Sequence, residues 1–157
     1  MDLAESLEDE RVHFFFAGRN DGSNFSKKII ARSKSLSNVT YIGELSFDET
    51  NELISKSHIF VNTSRPNEGF PNTFIQSWMR KTPVVSLEFD PDSILENKKL
   101  GFCCSNNYNM SERVRYLLNN HNELVSIGEN ARLFATEKYD INKISRDYAK
   151  LFRGGIL

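Results

Sequence analysis

The chain has 157 residues, 20 basic and 21 acidic, with a formal charge of −1. That length holds one domain with a real core and excludes two well-formed ones. The balanced charge supplies no long-range field to recruit nucleic acid or an anionic membrane. No apolar run reaches the length of a membrane span, and the start, MDLAESLEDER, is acidic and helix-like where a secretion signal would be basic and then apolar. The expectation is one cytosolic domain over residues 1–157.

In chain order, short β-rich runs alternate with runs of helical period. HFFFAG (His13 to Gly18) reads as an apolar strand, and the next stretch spaces Phe25, Ile29, Ile30 and Leu36 as a helix would. NVTYIGE (Asn38 to Glu44) predicts a second strand. Asp48 then serves as helix cap or first-turn acid, with Leu53 and Ile54 on the inner face. HIFVNTS (His58 to Ser64) predicts a third strand; the helix NTFIQSWMR after it pairs Phe74 with Trp78 and Ile75 with Met79. TPVVSLEF and LGFCCS supply the last two strands. Cys103 and Cys104 are neighbours in a strand, so their side chains point to opposite faces and form no structural disulfide.

From Asn109 the chain reads as helical to its end, with three apolar faces. The first carries Met110, Val114, Leu117 and Leu118; the second Leu124, Ile127, Ala131 and Phe134; the third Ile141, Ile144, Tyr148, Leu151 and Phe152. Gly128 sits inside the middle helix at a cost of about 1 kcal/mol against alanine, which points to a close packing contact.

The alternation predicts an α/β domain of Rossmann-like, three-layer α/β/α type, with a mostly parallel sheet of about five strands and a helical C-terminus. Such sheets bind ligands outside the carboxyl ends of their strands. The stretch SRPNEGFPNTFIQSW (Ser64 to Trp78) falls at such an end. Its loop leads to a helix whose expected N-cap is Asn72 and whose first amides can receive a phosphate or sugar oxygen. Gly69 opens the backbone to a ligand, Pro71 stiffens the approach, Glu68 is an acceptor-only group beside the donors, and Gln76 shares a helix face with Asn72. As a bare pattern, Glu-Gly-x-Pro-Asn also suits a strand-to-helix turn with a solvated glutamate.

EGFPNTFIQSWMRKTPVVS resembles the donor-binding motif of the group-1, or family 4, retaining glycosyltransferases, which have the two-lobed GT-B fold. The resemblance extends through NVTYIGELSFDETNELISKSHIFVNTS before it and from Leu100 to Phe152 after it, nearly the whole chain. It implies that the chain is the family's C-terminal donor-binding domain, taking a UDP- or GDP-linked sugar and no further cofactor. It implies that Glu68 holds the sugar hydroxyls, with the backbone of Gly69, Phe70, Pro71 and Asn72 around sugar and phosphate. Gly43, Glu44 and Leu45 resemble the base-contacting loop.

Two departures accompany the resemblance. Gln76 stands where the family has a second glutamate for the ribose, which removes a charge-assisted bond. The family's first strand of this domain, its basic diphosphate-holding loop and the acceptor-binding N-terminal lobe have no counterpart here. Arg19 and Arg65 are the candidates for phosphate contact. If the remaining strands close ranks their order is 2-1-3-4-5; otherwise a partner fills the gap. The partners implied are a nucleotide sugar, an acceptor-binding lobe or subunit, and peripheral contact with the inner face of a membrane, since the family's pathways build polysaccharides and glycolipids. The isolated chain is expected to be inactive, and the alternative is a non-catalytic binding module on the same scaffold. No metal is expected: Asp90-Pro91-Asp92 reads as a capped helix start, and His13, His58 and His121 lack ligand spacing.

Overall fold

The computed structural model describes residues 1–63 and 69–153. A short helix α1 (Asp2–Glu5) precedes β1 (Phe14–Ala17), α2 (Asn24–Ser33), β2 (Val39–Gly43), α3 (Phe47–Ser55) and β3 (Phe60–Asn62). Then come α4 (Asn72–Trp78), β4 (Val84–Leu87), a 3-10 turn at Pro91–Ser93 running into α5 (Ile94–Asn97), and β5 (Gly101–Cys104). Three helices close the chain: α6 (Asn107–Asn119), α7 (His121–Lys138) and α8 (Ile141–Arg153). Among the described residues no helix is long and apolar enough to cross a membrane.

All strand pairs are parallel, in two ladders: β1 with β2, and β3-β4-β5. The α/β class and parallel pairing agree with the sequence. The closed order 2-1-3-4-5 does not form, because β1 and β3 are not hydrogen-bonded to each other. The ladders are joined through the helix layer and through Phe14 of β1, which packs against the cluster of the second ladder. Leu3 of α1 and the following Leu7 pack into one cluster with Val85, Cys104, Met110 and Val114, while Ala4 packs with Leu36, between α2 and β2, and with Val39 of β2. Polar contacts hold this segment there as well: the buried Asn38 side chain donates to the Ala4 carbonyl at 2.8 Å, and Arg115 donates to Glu10 and to the Ser6 carbonyl, both at 3.0 Å.

The second ladder carries the core. Val84, Val85 and Ser86 of β4 are buried, and Phe74, Trp78, Leu95, Leu100, Ala131 and Ala135 pack on one side of it. α7 approaches the turn after α4 so closely that a Cβ on Gly128 would lie 2.2 Å from the Lys81 carbonyl oxygen, the close contact its sequence position predicts. Helix starts follow their caps. Ser46, not Asp48, caps α3, in a reciprocal capping box with Glu49, and Asp48 is a first-turn acid.

Several expected inner faces are corrected. Phe25 of α2 is 74% exposed and only Ser33 of that helix is buried, because a two-stranded ladder offers too little surface to cover an amphipathic helix. Leu118 lies at the exposed edge of α6. The third apolar face, on α8, meets no core, and no residue of α8 is buried.

Candidate functional site

Two groups of sequence-predicted residues sit at carboxyl ends of parallel strands, one on each ladder. On the first, a register irregularity pairs Ala17 with Gly43, and Gly43 takes φ +92°, which an L side chain adopts only under strain. The Gly18 amide donates to the Gly43 carbonyl at 2.7 Å, and the Tyr41 hydroxyl donates to the Gly18 carbonyl at 2.6 Å. These bonds knit the turn bearing exposed Arg19 to the loop Gly43, Glu44 and Leu45. Arg19 and the expected base-contacting loop are thus brought together.

On the second ladder, β3 ends at Asn62 and the chain returns at Gly69. Glu68 and Arg65 lie outside the described residues, as does Ser64. The helix begins differently from expectation: Pro71, extended at φ −74° and ψ 121°, is the N-cap, and Asn72 is the first helical residue with no capping side chain before it. Proline presets this entry and has no side-chain acceptor. Among the described residues no side chain caps the amides that open α4, and seven residues make only a short dipole. Among the described residues, a Cβ on Gly69 would meet nothing within 4 Å. Gln76 is half-buried on α4, and its carbonyl accepts from Arg80 at 3.1 Å.

The loop is anchored by features that sequence spacing did not reveal. The Phe70 ring lies 5.9 Å from Trp78, 6.3 Å from Phe74 and 6.0 Å from Tyr139. Tyr139 is remote in sequence, and burial, then Asp92, pushes its phenol up from the ordinary value, so it stays neutral. Below the loop, buried Asn62 donates through Nδ2 to the buried Ser86 hydroxyl at 2.9 Å, tying the end of β3 to β4. An asparagine that closes an otherwise apolar strand was the available signal.

The remaining candidates have other partners. Asp90 precedes Pro91 as read, and its carboxylate accepts from the amides of Leu95 at 2.9 Å and Glu96 at 3.3 Å, which occupies it as a cap of α5. Among the described residues no three His, Cys, Asp or Glu side chains are gathered as a metal site. His13 shares a hydrogen bond with Thr40 at 2.8 Å. Cys103 and Cys104 are free thiols pushed up by burial, which keeps them protonated and poor nucleophiles. A cleft of about 430 Å³ between β5 and α6 is lined by Cys103, Ser105, Asn109, Glu112, Arg113 and Tyr116. Its one guanidinium, Arg113, lies over the Phe102 ring at 4.2 Å.

Parallel strands with glycine-bearing loops at their carboxyl ends define an α/β protein of the nucleotide-binding kind of architecture. Residues 2–120 match the family model of the glycosyl transferases group 1, and the chain belongs to that family. Its fold is similar to that of HepE from Anabaena, solved with UDP-glucose, at TM-score 0.82 and 16% identity over 98% of this chain and 44% of that one. It is similar to TarM, at TM-score 0.76 and 24% identity over 97% of this chain and 31% of that one. A glycosyltransferase from Rickettsia africae ESF-5 matches at TM-score 0.78 and 20% identity, over 97% and 43%. The chain thus spans less than half of each of these proteins. No curated protein matches the sequence.

Proposed function

We propose that the chain is the donor-binding domain of a retaining glycosyltransferase and holds a UDP- or GDP-linked sugar for transfer to an acceptor of polysaccharide or glycolipid type. The observation that carries this reading is the pairing of the family match over residues 2–120 with two glycines at which a Cβ would meet no neighbour among the described residues: Gly43, at the carboxyl end of β2, and Gly69, just before α4. The solved complex of HepE with UDP-glucose supports it, since this chain overlays that fold over 98% of its length.

In this reading Glu68 accepts hydrogen bonds from the sugar hydroxyls, and the backbone from Gly69 through Phe70 and Pro71 to Asn72 surrounds sugar and phosphate. The amides that open α4 and the cations Arg19 and Arg65 stabilise the charge that develops on the departing diphosphate. Gly43, Glu44 and Leu45 meet the base. Gln76 accepts from the ribose with a neutral amide oxygen, a weaker bond than a carboxylate makes. The acceptor and the group that activates it belong to a lobe outside these 157 residues, so the isolated chain binds donor and does not turn it over.

A titration with UDP, GDP and ADP and their sugar conjugates, followed by amide NMR, tests the proposal. Shifts at Gly43 to Leu45 and Gly69 to Gln76, larger for one conjugate and weakened by Glu68→Ala, are expected. No shift at millimolar ligand would favour a non-catalytic module instead.

A further inference from the structure

Phe70 stands just ahead of α4 and remains 38% exposed, so its ring rests on the core rather than filling it. Three rings receive it. Phe74 at 6.3 Å and Trp78 at 5.9 Å both belong to α4, the helix that the segment itself enters, and they fix Phe70 only against its own neighbour in sequence. Tyr139, at 6.0 Å and tilted by 43°, stands between α7 and α8. That contact ties the segment to a separate part of the fold.

Tyr139 is itself well held. Its amide closes α7 by donating to the Ala135 carbonyl at 2.9 Å. Its ring stacks on Trp78 at 6.5 Å and meets Phe134 edge-on at 6.1 Å. α7 in turn is seated by Ala131 and Ala135, both buried, and by the close approach of Gly128 to Lys81. A segment anchored on a ring that does not move has fewer conformations to lose when a ligand arrives, so part of the ordering cost is met before binding.

We propose that Tyr139 is a positioning residue for residues 69–72: its ring, through Phe70, holds their backbone in the course that receives the sugar and phosphate of a nucleoside diphosphate sugar. The inference rests on the proposal of donor binding and adds to it a residue that acts through another side chain. The contact is made between rings and not by the phenol hydroxyl, so phenylalanine should serve at this position. Leucine is apolar but has no π face to orient Phe70, and should not.

Amide exchange and donor titration of the full chain test it, with Tyr139→Phe and Tyr139→Leu beside the wild type. Without ligand, Tyr139→Leu should speed exchange at Gly69, Phe70 and Asn72 by about three- to tenfold, while Val84 and Val85 of β4 stay unchanged. Affinity for UDP-glucose or GDP-glucose, whichever the wild-type chain takes, should fall by a similar factor. Tyr139→Phe should match the wild type in both readouts. Phe70→Leu should lose at least as much as Tyr139→Leu, and the double variant Phe70→Leu/Tyr139→Leu no more than Phe70→Leu alone, because both remove one shared contact. Unchanged exchange at residues 69–72 in Tyr139→Leu would overturn the proposal, as would unchanged donor affinity, losses that add in the double variant, or faster exchange spread evenly over β4. A wild-type chain that bound neither sugar nucleotide would overturn the donor reading alone, and faster exchange confined to residues 69–72 would then still uphold Tyr139 as the residue that orders them.

Discussion

The two ladders are built from similar sequence and are held together by different physics. β4 is buried over Val84, Val85 and Ser86, and the helices over its ladder bury Phe74, Trp78, Ala131 and Ala135. β1 is as apolar, with three consecutive phenylalanines, yet Phe15 is 52% exposed and the strand only alternates between half-buried and exposed. Phe14 and Phe16 pack on a small cluster of Ala4, Leu36 and Val39, and the other contacts around the strand are polar and superficial. Arg32 pairs with Asp2 and Glu5, Ser37 donates to Glu8, and Ser23 and Ser26 donate to Asp21. Exposed pairs of this kind are screened by solvent and contribute little to stability. An apolar strand earns burial only where helices cover both sides of its sheet, and β1 has one strand neighbour and a thin helix layer.

The difference can be broken most forcibly in the second ladder. Trp78→Ala removes a fully buried ring from the cluster shared by α4 and α7 and should cost about 3–5 kcal/mol in urea unfolding. Gly128→Ala drives a methyl into the Lys81 carbonyl, where backbone must move, and should cost about 1–3 kcal/mol. Asn62→Ala leaves the buried Ser86 hydroxyl without its donor and should cost about 1–3 kcal/mol, with faster amide exchange at the end of β3. In the first ladder Phe25→Ser should change stability by no more than about 0.5 kcal/mol. A loss at Phe25 as large as that at Trp78 would mean that something covers α2 in solution.

Acid sharpens the same contrast. Hydrogen bonds from the Ser23 hydroxyl and amide, then the Ser26 hydroxyl, pull the Asp21 carboxyl down to about 2. The Ser37 amide and hydroxyl lower Glu8, and the Ser46 hydroxyl and amide lower Glu49. A depressed carboxyl contributes stability that is fully present above its unfolded value, near 4, and is lost as pH falls through the folded one. All three precede β3. Between about pH 4 and about pH 2, amides of Ser23, Ser37 and Ser46 should therefore lose exchange protection before those of Val84 and Val85.

Much of this architecture was legible in local pattern. Strand and helix alternation, the Gly128 contact and the Asp90 cap depend on residues close in sequence or on the cost of a glycine, and each stands where it was read. What local pattern could not show was how many surfaces are available to bury the apolar faces it detects. Phe25 and the α8 stripe have helical period and no core to meet. Nor does local pattern fix which strands pair, and β1 and β3 stand in separate ladders although the segment around Leu3 and Leu7 packs beside both. At the site, glycine and proline marked the loop correctly, but Pro71 rather than Asn72 opens the helix, and the tether from Phe70 to Tyr139 crosses most of the second ladder in sequence.

The central claim is that one donor molecule spans both ladders, with base on the Gly43 loop and sugar and diphosphate on the Gly69 loop. Amide hydrogen exchange with and without a saturating nucleotide sugar tests it most directly. Slowed exchange at Gly43 to Leu45 together with Gly69 to Gln76, and additional protection through the weakly packed β1–β2 ladder, is the predicted result. Protection at neither loop, or at one of them alone, would contradict a donor site shared between the ladders.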